Sequence, residues 1–178
     1  MPNLTTVPRD TAKSMRKASH KTDTEVTRLP RLRKTASPMT SIDKWIAYRD
    51  AFLASPASNQ IQEIRQGVRA SYLLGLAEAA QVPREDIFRL IGLPLSTAKR
   101  KLAKDEKLDS SATERLTRIG AIEKLAEETL GDASLAREWL RTNNIGLGNT
   151  TPLSMLDTDI GSREVSRILN AIAYGGVA

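Results

Sequence analysis

The sequence predicts an all-α protein. Apolar residues recur at every third or fourth position in most segments from Ser41 onward, which is the pattern of one buried helix face. No stretch alternates between apolar and polar residues for more than a few positions, as a half-buried strand does. Capping residues and glycine stops divide the chain into about eight short helices. With 178 residues, of which 40% are apolar and 27% charged, the chain suits one ordinary globular domain or two small ones.

The first predicted helix has Ser41 as its N-cap and ends at Ser55, because a residue before proline is pushed out of the helical region. Its apolar face carries Ile42, Trp45, Ile46, Phe52 and Leu53. A short helical segment follows and breaks at Gly67.

Three helices with short turns are predicted between residues 69 and 104. The first covers 69–80, and the second covers 84–91, behind Pro83 and with acidic residues in its first turn. Gly92 is a natural left-handed stop. Ser96 is the predicted N-cap of the third helix, which runs over 97–104.

The rest of the chain predicts one long helix and three shorter ones. The long helix runs to about residue 130 and stops at Gly131, and 143–149 is a loop rich in glycine and asparagine. The predicted N-caps of the four helices are Asp109 or Ser110, then Asp132, Thr151 with Pro152 behind it, and Thr158.

Several function classes are unlikely on composition alone. The chain has no cysteine and a single histidine, His20. It therefore lacks the residues for a disulfide scaffold, a thiolate nucleophile or a histidine-rich metal site. No motif of a phosphate loop or an activated nucleophile is present, and carboxylates such as Asp132 and Asp157 have the positions of caps and turns. We therefore expect no enzyme, no cofactor and no metal. Without a membrane span or a signal peptide, a cytoplasmic location is expected.

The net charge of +6 lies entirely in the first forty residues. Residues 1–40 hold nine lysines and arginines and three acidic residues, and the rest of the chain is neutral. Few apolar residues are available there to offset the entropy of ordering, so 1–40 is predicted to be a disordered basic arm. Such arms commonly gather near nucleic acid. The alternatives are a solvated tail without a partner and an organelle transit peptide.

Residues 69–104 have the layout of a helix-turn-helix motif. On the last of these helices Ala98 and Leu102 can pack inward. The polar side chains left for double-stranded DNA are Ser96, Thr97, Lys99, Arg100 and Lys104. A helical hairpin with a solvated basic face explains the spacing equally well. Only seven aromatic residues are present, which argues against binding of single strands by base stacking.

The C-terminal part carries a set of motifs with fixed gaps. They read REWLRTNN at 137–144, LG at 147–148, TPL at 151–153, LDT at 156–158 and GSREV at 161–165. This order closely resembles the C-terminal signature of the MbcA/ParS/Xre antitoxin family. The resemblance extends backwards through the helix-turn-helix and covers about residues 64–177, leaving 1–60 outside.

The resemblance implies an antitoxin whose C-terminal domain covers the active site of a cognate RES-domain toxin that consumes NAD⁺. It also implies that the helix-turn-helix binds the operator of its own operon, although some members of the family have lost that activity. A stand-alone transcriptional regulator is the alternative. The residues expected to contact the toxin are Arg163 and the C-terminal Tyr174, Gly175, Gly176, Val177 and Ala178, whose thin, flexible tail suits a narrow cleft.

The expected organisation is a basic arm (1–40), a helical extension (41–66), a DNA-binding and dimerisation domain (67–130) and a toxin-binding domain (131–178). We expect a homodimer, because a helix-turn-helix reads palindromic half-sites most economically as a two-fold dimer, and a larger assembly with the toxin. The apolar face of the first helix needs a cover, either the body of the chain or a second subunit. Trp139 and Leu140 are expected in the core, and Gly148 and Gly161 at positions that backbone geometry requires.

Overall fold

A computed structural model describes residues 38–175 of the chain. These residues form α-helices and short 3-10 helices with no β-strand, which confirms the all-α prediction for the part described. The predicted basic arm, apart from residues 38–40, lies outside the described residues, and so do Gly176, Val177 and Ala178. None of the helices between residues 38 and 175 is long and apolar enough to span a membrane.

Five helices precede the long central one. They are α1 (Ser41–Ala54), α2 (Ala57–Gln66), α3 (Tyr72–Ala80), α4 (Arg84–Leu90) and α5 (Leu95–Lys104). The central helix α6 (Ser110–Leu130) is followed by α7 (Ala133–Arg141), two 3-10 helices (Ile145–Leu147 and Pro152–Asp157) and α8 (Asp159–Ala173).

Most predicted caps are confirmed. Asp109 accepts from the backbone N–H of Ala112, and Asp132 accepts from those of Ser134 and Leu135. The hydroxyls of Thr151 and Thr158 likewise accept backbone N–H groups of the helices that follow them. Gly67, Gly92 and Gly131 all have positive φ, which a glycine adopts without the steric cost of a side chain.

Three predicted helix starts are wrong. Helix α3 begins at Tyr72 and not at residue 69, and the N-caps of α1 and α5 lie one and two residues before the predicted ones. Thr40, not Ser41, caps α1, because its hydroxyl accepts from the backbone N–H of Asp43 while the Asp43 carboxylate accepts from the backbone of Thr40. Ser96 is not the cap of α5. The helix already begins at Leu95, since Pro94 with φ −57° and ψ 140° occupies the cap position.

One hydrophobic cluster holds the described residues together. Its largest fully buried side chains come mostly from α1, α3, α4, α6 and α8, and include Trp45, Leu73, Phe88, Leu116 and Leu169. The backbone N–H groups of Ala70 and Leu108 donate to the carbonyls of Glu106 and Val68, at 2.9 and 2.8 Å. This short antiparallel contact fastens the connection after α5 to the connection before α3.

Helix α1 packs against α3 and α6 of its own chain. Trp45 and Phe52 are buried there, and Ile42 and Ile46 are half-buried against the core. Of the two covers considered for the apolar face of this helix, the structure therefore provides the body of the chain. The face of α1 gives no separate argument for a dimer.

Candidate functional surfaces

The segment from α3 to α5 has the geometry of a helix-turn-helix. Gln81, with φ 52°, ends α3, and Gly92, with φ 69°, turns the chain from α4 into α5. The backbone N–H of Leu93 donates to the carbonyl of Phe88 at 2.8 Å and closes the turn. The positive φ favours glycine at this turn, and a Cβ at Gly92 would displace the flexible end of the Arg115 side chain, 2.5 Å away.

Helix α5 presents one face to the core and one to solvent. Ala98 is fully buried and Leu102 is half-buried against the core, as the spacing predicts. Thr97 is half-buried. The other polar residues proposed for DNA contact, Ser96, Lys99, Arg100 and Lys104, are exposed.

Two basic side chains of α5 already have partners in the chain. The Arg100 guanidinium forms an ion pair with Glu106, and the Lys101 ammonium donates to the backbone carbonyl of Lys107. Within residues 38–175, Lys99 and Lys104 form no ion pair, so their ammonium groups face solvent. Without DNA, the Arg100 guanidinium is therefore already occupied by Glu106.

Sequence reasoning missed Leu95, which is the first residue of α5 and is 46% exposed. Because Ser96 was predicted as the cap, Leu95 fell before the helix, where helical spacing does not predict which way its side chain points. An apolar residue directly behind Pro94 was the available signal, because proline favours the residue before a helix or in its first turn.

The second candidate surface is the outer face of α8. Val165, Ile168 and Leu169 are buried on its inner face. Ile160, Arg163, Arg167 and Tyr174 are exposed, and their spacing of three, four and seven residues places them along one side of the helix. The outer face of α8 thus carries two cations between an isoleucine and a tyrosine.

Among residues 38–175, the charges of this face pair only within the helix. Arg163 contacts Asp159 at 3.0 Å, and Arg167 contacts Glu164 at 3.0 Å. The adjacent Arg163 and Glu164 do not pair with each other. Such exposed pairs are worth little and are easily exchanged for a partner's groups.

The start and the end of α8 are set by backbone requirements. Gly161 lies so close to the backbone carbonyl of Met155 that a Cβ there has no room. This confirms the prediction that the backbone geometry requires glycine at this position. Gly175 has φ 67° and ends the helix beside the exposed Tyr174. Of the predicted C-terminal contact residues, Tyr174 and Gly175 therefore continue the outer face of α8.

Helix α7 is less buried than its sequence suggests. Leu140 is buried as expected, but Trp139 is only half-buried. Together with Leu130 and Leu135 it lines an apolar surface groove of about 320 Å³. Gly148, with φ 67°, meets a backbone requirement as predicted.

A cleft of about 490 Å³ separates the helix-turn-helix from the C-terminal helices. Val82, Leu90 and Leu153 contribute its apolar lining. One wall is fixed by the Arg141 guanidinium, which donates to the Gln81 side-chain oxygen at 3.1 Å. This contact links α7 to the turn between α3 and α4.

The described residues contain no group of three or more acidic or histidine side chains that could hold a metal ion. Glu123 is the most perturbed carboxyl among them. Burial raises its pKa from 4.5 to about 7, against the hydrogen bond from Trp45 and the charge of Arg49, which lower it. This carboxyl lies between α1 and α6 and is closed off from solvent, so its role is structural.

Fold and surfaces together define a helix-turn-helix protein that carries a small helical binding domain at its C-terminal end. Residues 60–120 match the antitoxin Xre-like helix-turn-helix domain, and residues 125–175 match the antitoxin Xre/MbcA/ParS C-terminal toxin-binding domain. Helix α1 precedes both matches.

Curated relatives agree with these two domains. The chain is 30% identical to the Prs ADP-ribosylating antitoxin of Sphingobium sp. (strain YBL2), over 74% of this chain and 88% of the relative. It is 32% identical to antitoxin Xre of Pseudomonas putida (strain KT2440), over 63% and 69%. Antitoxin Xre of Yersinia enterocolitica is 26% identical, over 68% and 83%. The chain belongs to the Xre/MbcA/ParS family of antitoxins, and its C-terminal domain is of the toxin-binding type.

Proposed function

We propose that this antitoxin neutralises a RES-domain toxin that consumes NAD⁺, by laying its C-terminal domain over the toxin's active site. The observation that carries the proposal is the outer face of α8, with Ile160, Arg163, Arg167 and Tyr174 exposed on one side of a well-capped helix. Arginine and tyrosine are enriched where protein interfaces draw most of their binding energy.

The chemistry assigned to the toxin is supported by a relative's name. The Sphingobium relative is named for ADP-ribosylation, and NAD⁺ is the usual donor of ADP-ribose. In our proposal the residues after Tyr174, from Gly175 to Ala178, extend from the outer face of α8 into the NAD⁺ site. The antitoxin itself acts by binding and not by catalysis, and it does so in the cytoplasm, where NAD⁺ and the operator are found.

We further propose that α5 binds double-stranded operator DNA and represses the operon. Lys99, Lys104 and Ser96 are exposed on the outer face of the second helix of the helix-turn-helix. That helix enters the major groove in proteins with this motif. A two-fold homodimer places two such helices on the half-sites of a palindrome, and toxin molecules bound to its C-terminal domains form a larger complex.

The test is co-expression with the proposed partner, a RES-domain toxin whose gene we expect beside that of the antitoxin. We expect wild-type antitoxin to restore growth and the cellular NAD⁺ pool. The double variant Arg163→Ala, Arg167→Ala loses both effects and weakens toxin capture. The matched control, Lys44→Ala with Arg65→Ala, removes two exposed positive charges from α1 and α2 and protects like wild type.

If the Arg163, Arg167 variant protects as well as wild type, the outer face of α8 is not the inhibitory surface. If no toxin is captured while DNA binding persists, the stand-alone transcriptional regulator is the better assignment.

A further inference from the structure

Helix α5 opens with an apolar side chain that the core does not use. Leu95 is 46% exposed, whereas Ala98, one turn later, is completely buried. Leu95 lines a surface depression together with Phe88, Leu93, Glu85 and Arg89. About half of this leucine therefore remains in solvent at the start of the helix.

The place of Leu95 on α5 is where a recognition helix meets base edges. The N-terminal residues of such a helix reach into the major groove, while later residues contact the backbone. Leu95 and Lys99 are one turn apart and lie side by side, with Ser96 next to them. An exposed leucine among these polar residues cannot donate or accept a hydrogen bond, so on DNA it can make favourable contact only with an apolar group.

We propose that Leu95 is a specificity residue that contacts the C5-methyl group of a thymine in the major groove. This inference rests on the proposed DNA binding by α5. The thymine methyl is the apolar group that distinguishes T·A from the other pairs in that groove, and apolar side chains are its usual partners. Contact with it covers apolar surface of Leu95 that is exposed in the structure.

The test uses duplexes selected from a random DNA library by the purified 178-residue chain. In the selected duplex each thymine is replaced in turn by deoxyuracil, which pairs identically but lacks the methyl group. We expect one position per half-site to lose about fourfold in affinity, the effect of removing one methyl group from an apolar contact. Leu95→Gln should bind both duplexes equally, and Leu95→Met should keep the preference for thymine.

Leu135→Gln is the matched control, since Leu135 on α7 is also half exposed, at 53%, and lies outside the helix-turn-helix. It should select the same sequence and show the same loss with uracil as wild type. A flat uracil scan with wild type, or an unchanged uracil effect in Leu95→Gln, overturns the assignment of Leu95 alone. If the wild-type protein selects no sequence from the library, both the proposed sequence-specific DNA binding by α5 and the assignment of Leu95 are wrong.

Discussion

The indole N–H of Trp45 donates a 2.9 Å hydrogen bond to the carboxylate of Glu123, 78 residues away in the sequence. Both side chains are buried, and the contact joins α1 to the middle of α6. One turn further along both helices, the Arg49 guanidinium donates two hydrogen bonds to Glu127, at 2.9 and 2.8 Å. Helix α1 precedes both family matches, yet it is fixed to the body by buried polar contacts as well as by its apolar face.

Replacing Trp45 with Phe should lower the free energy of unfolding by about 2–3 kcal/mol. The substitution keeps most of the apolar ring but leaves the buried Glu123 carboxyl without its indole donor, and losing a hydrogen bond to such a group has roughly this cost. Urea unfolding followed by circular dichroism measures the change.

Trp139→Phe is the control for this substitution. Trp139 is half-buried in the surface groove on α7 and forms no side-chain hydrogen bond within residues 38–175. Its replacement should cost less than about 1 kcal/mol. Equal losses in the two variants would mean that the Trp45–Glu123 bond contributes nothing beyond the loss of ring volume.

The stability of the protein should decrease between about pH 5 and pH 7 through Glu123. Burial, the largest cause, raises the pKa of this carboxyl from 4.5 to about 7, so the folded protein holds a proton that the unfolded chain has already lost. Stability conferred by the protonated form is therefore lost as pH rises through that window, with a slope of at most about 1.4 kcal/mol per pH unit.

Glu123→Gln supplies the reference, because the amide can still accept from Trp45 but does not titrate. The stability of wild type relative to this variant should fall from pH 5 to pH 7 and stay level above it, as measured by urea unfolding at each pH. Carboxyls with a lowered pKa, such as those of Asp105 and Asp132, affect both proteins equally. A difference independent of pH would contradict a titrating Glu123.

Two helical glycines under α1 should respond differently to substitution by alanine. A Cβ at Gly75 would collide with the Ser41 carbonyl and lie 2.5 Å from the Cβ of Trp45, both on the rigid side of α1. At Gly120 the nearest atoms are those of the Trp45 ring, at 3.0 and 3.1 Å. Alanine favours a helix by about 1 kcal/mol over glycine, which offsets the mild crowding at Gly120 but not the collision at Gly75.

We therefore expect Gly75→Ala to destabilise by about 1–3 kcal/mol and Gly120→Ala to stay within about 1 kcal/mol of wild type. Thermal unfolding measures both, and the fluorescence of Trp45 in a Trp139→Phe background reports whether α1 has moved. A Gly75→Ala protein as stable as wild type would show that α1 shifts freely on α3.

The helices and their ends were largely predictable because caps and glycine stops are local signals. Asp109, Asp132 and Thr158 act through hydrogen bonds within three residues of themselves. The start of α5 was misplaced because Pro94 and Ser96 both have residue types found at helix starts, and spacing alone does not choose between them.

The long-range contacts of α1 were not predictable in the same way. Nothing local in the sequence shows that Trp45 meets Glu123 or that Arg49 is buried beside Glu127, since these pairs depend on how α1 crosses α6. For the candidate sites, the motif order identified the two binding regions. That Arg100 is already paired with Glu106 required the packed structure.

DNA binding through α5 should depend on its free ammonium groups and on the release of Arg100. The variant Lys99→Ala, Arg100→Ala should lose operator affinity by about tenfold or more, because a base contact of this kind is worth about 1–3 kcal/mol. Lys104→Ala should weaken all sequences alike and reduce the slope of affinity against salt by about one unit. Fluorescence anisotropy at several salt concentrations measures each change.

Glu106→Gln tests the partner of Arg100 in the same assay. Removing the carboxylate frees the guanidinium, and we expect DNA binding to tighten several-fold.

For the double variant Lys99→Ala, Arg100→Ala, unchanged operator affinity would mean that α5 does not bind DNA.

The last prediction separates residues 175–178 from the outer face of α8. Gly175, with φ 67°, ends the helix beside the exposed Tyr174, and in our proposal the residues after it enter the NAD⁺ site. An antitoxin ending at Tyr174 should still capture the toxin through Arg163 and Arg167, but should leave NAD⁺ consumption at saturating antitoxin about tenfold above that with the 178-residue chain. Arg163→Ala, which removes a contact and not the inserted segment, should weaken capture yet inhibit fully once saturated. A capture assay and NAD⁺ consumption by the purified complex separate the two effects. Full inhibition by the shortened chain would assign neutralisation to the surface of α8 alone, with residues 175–178 outside the toxin's site.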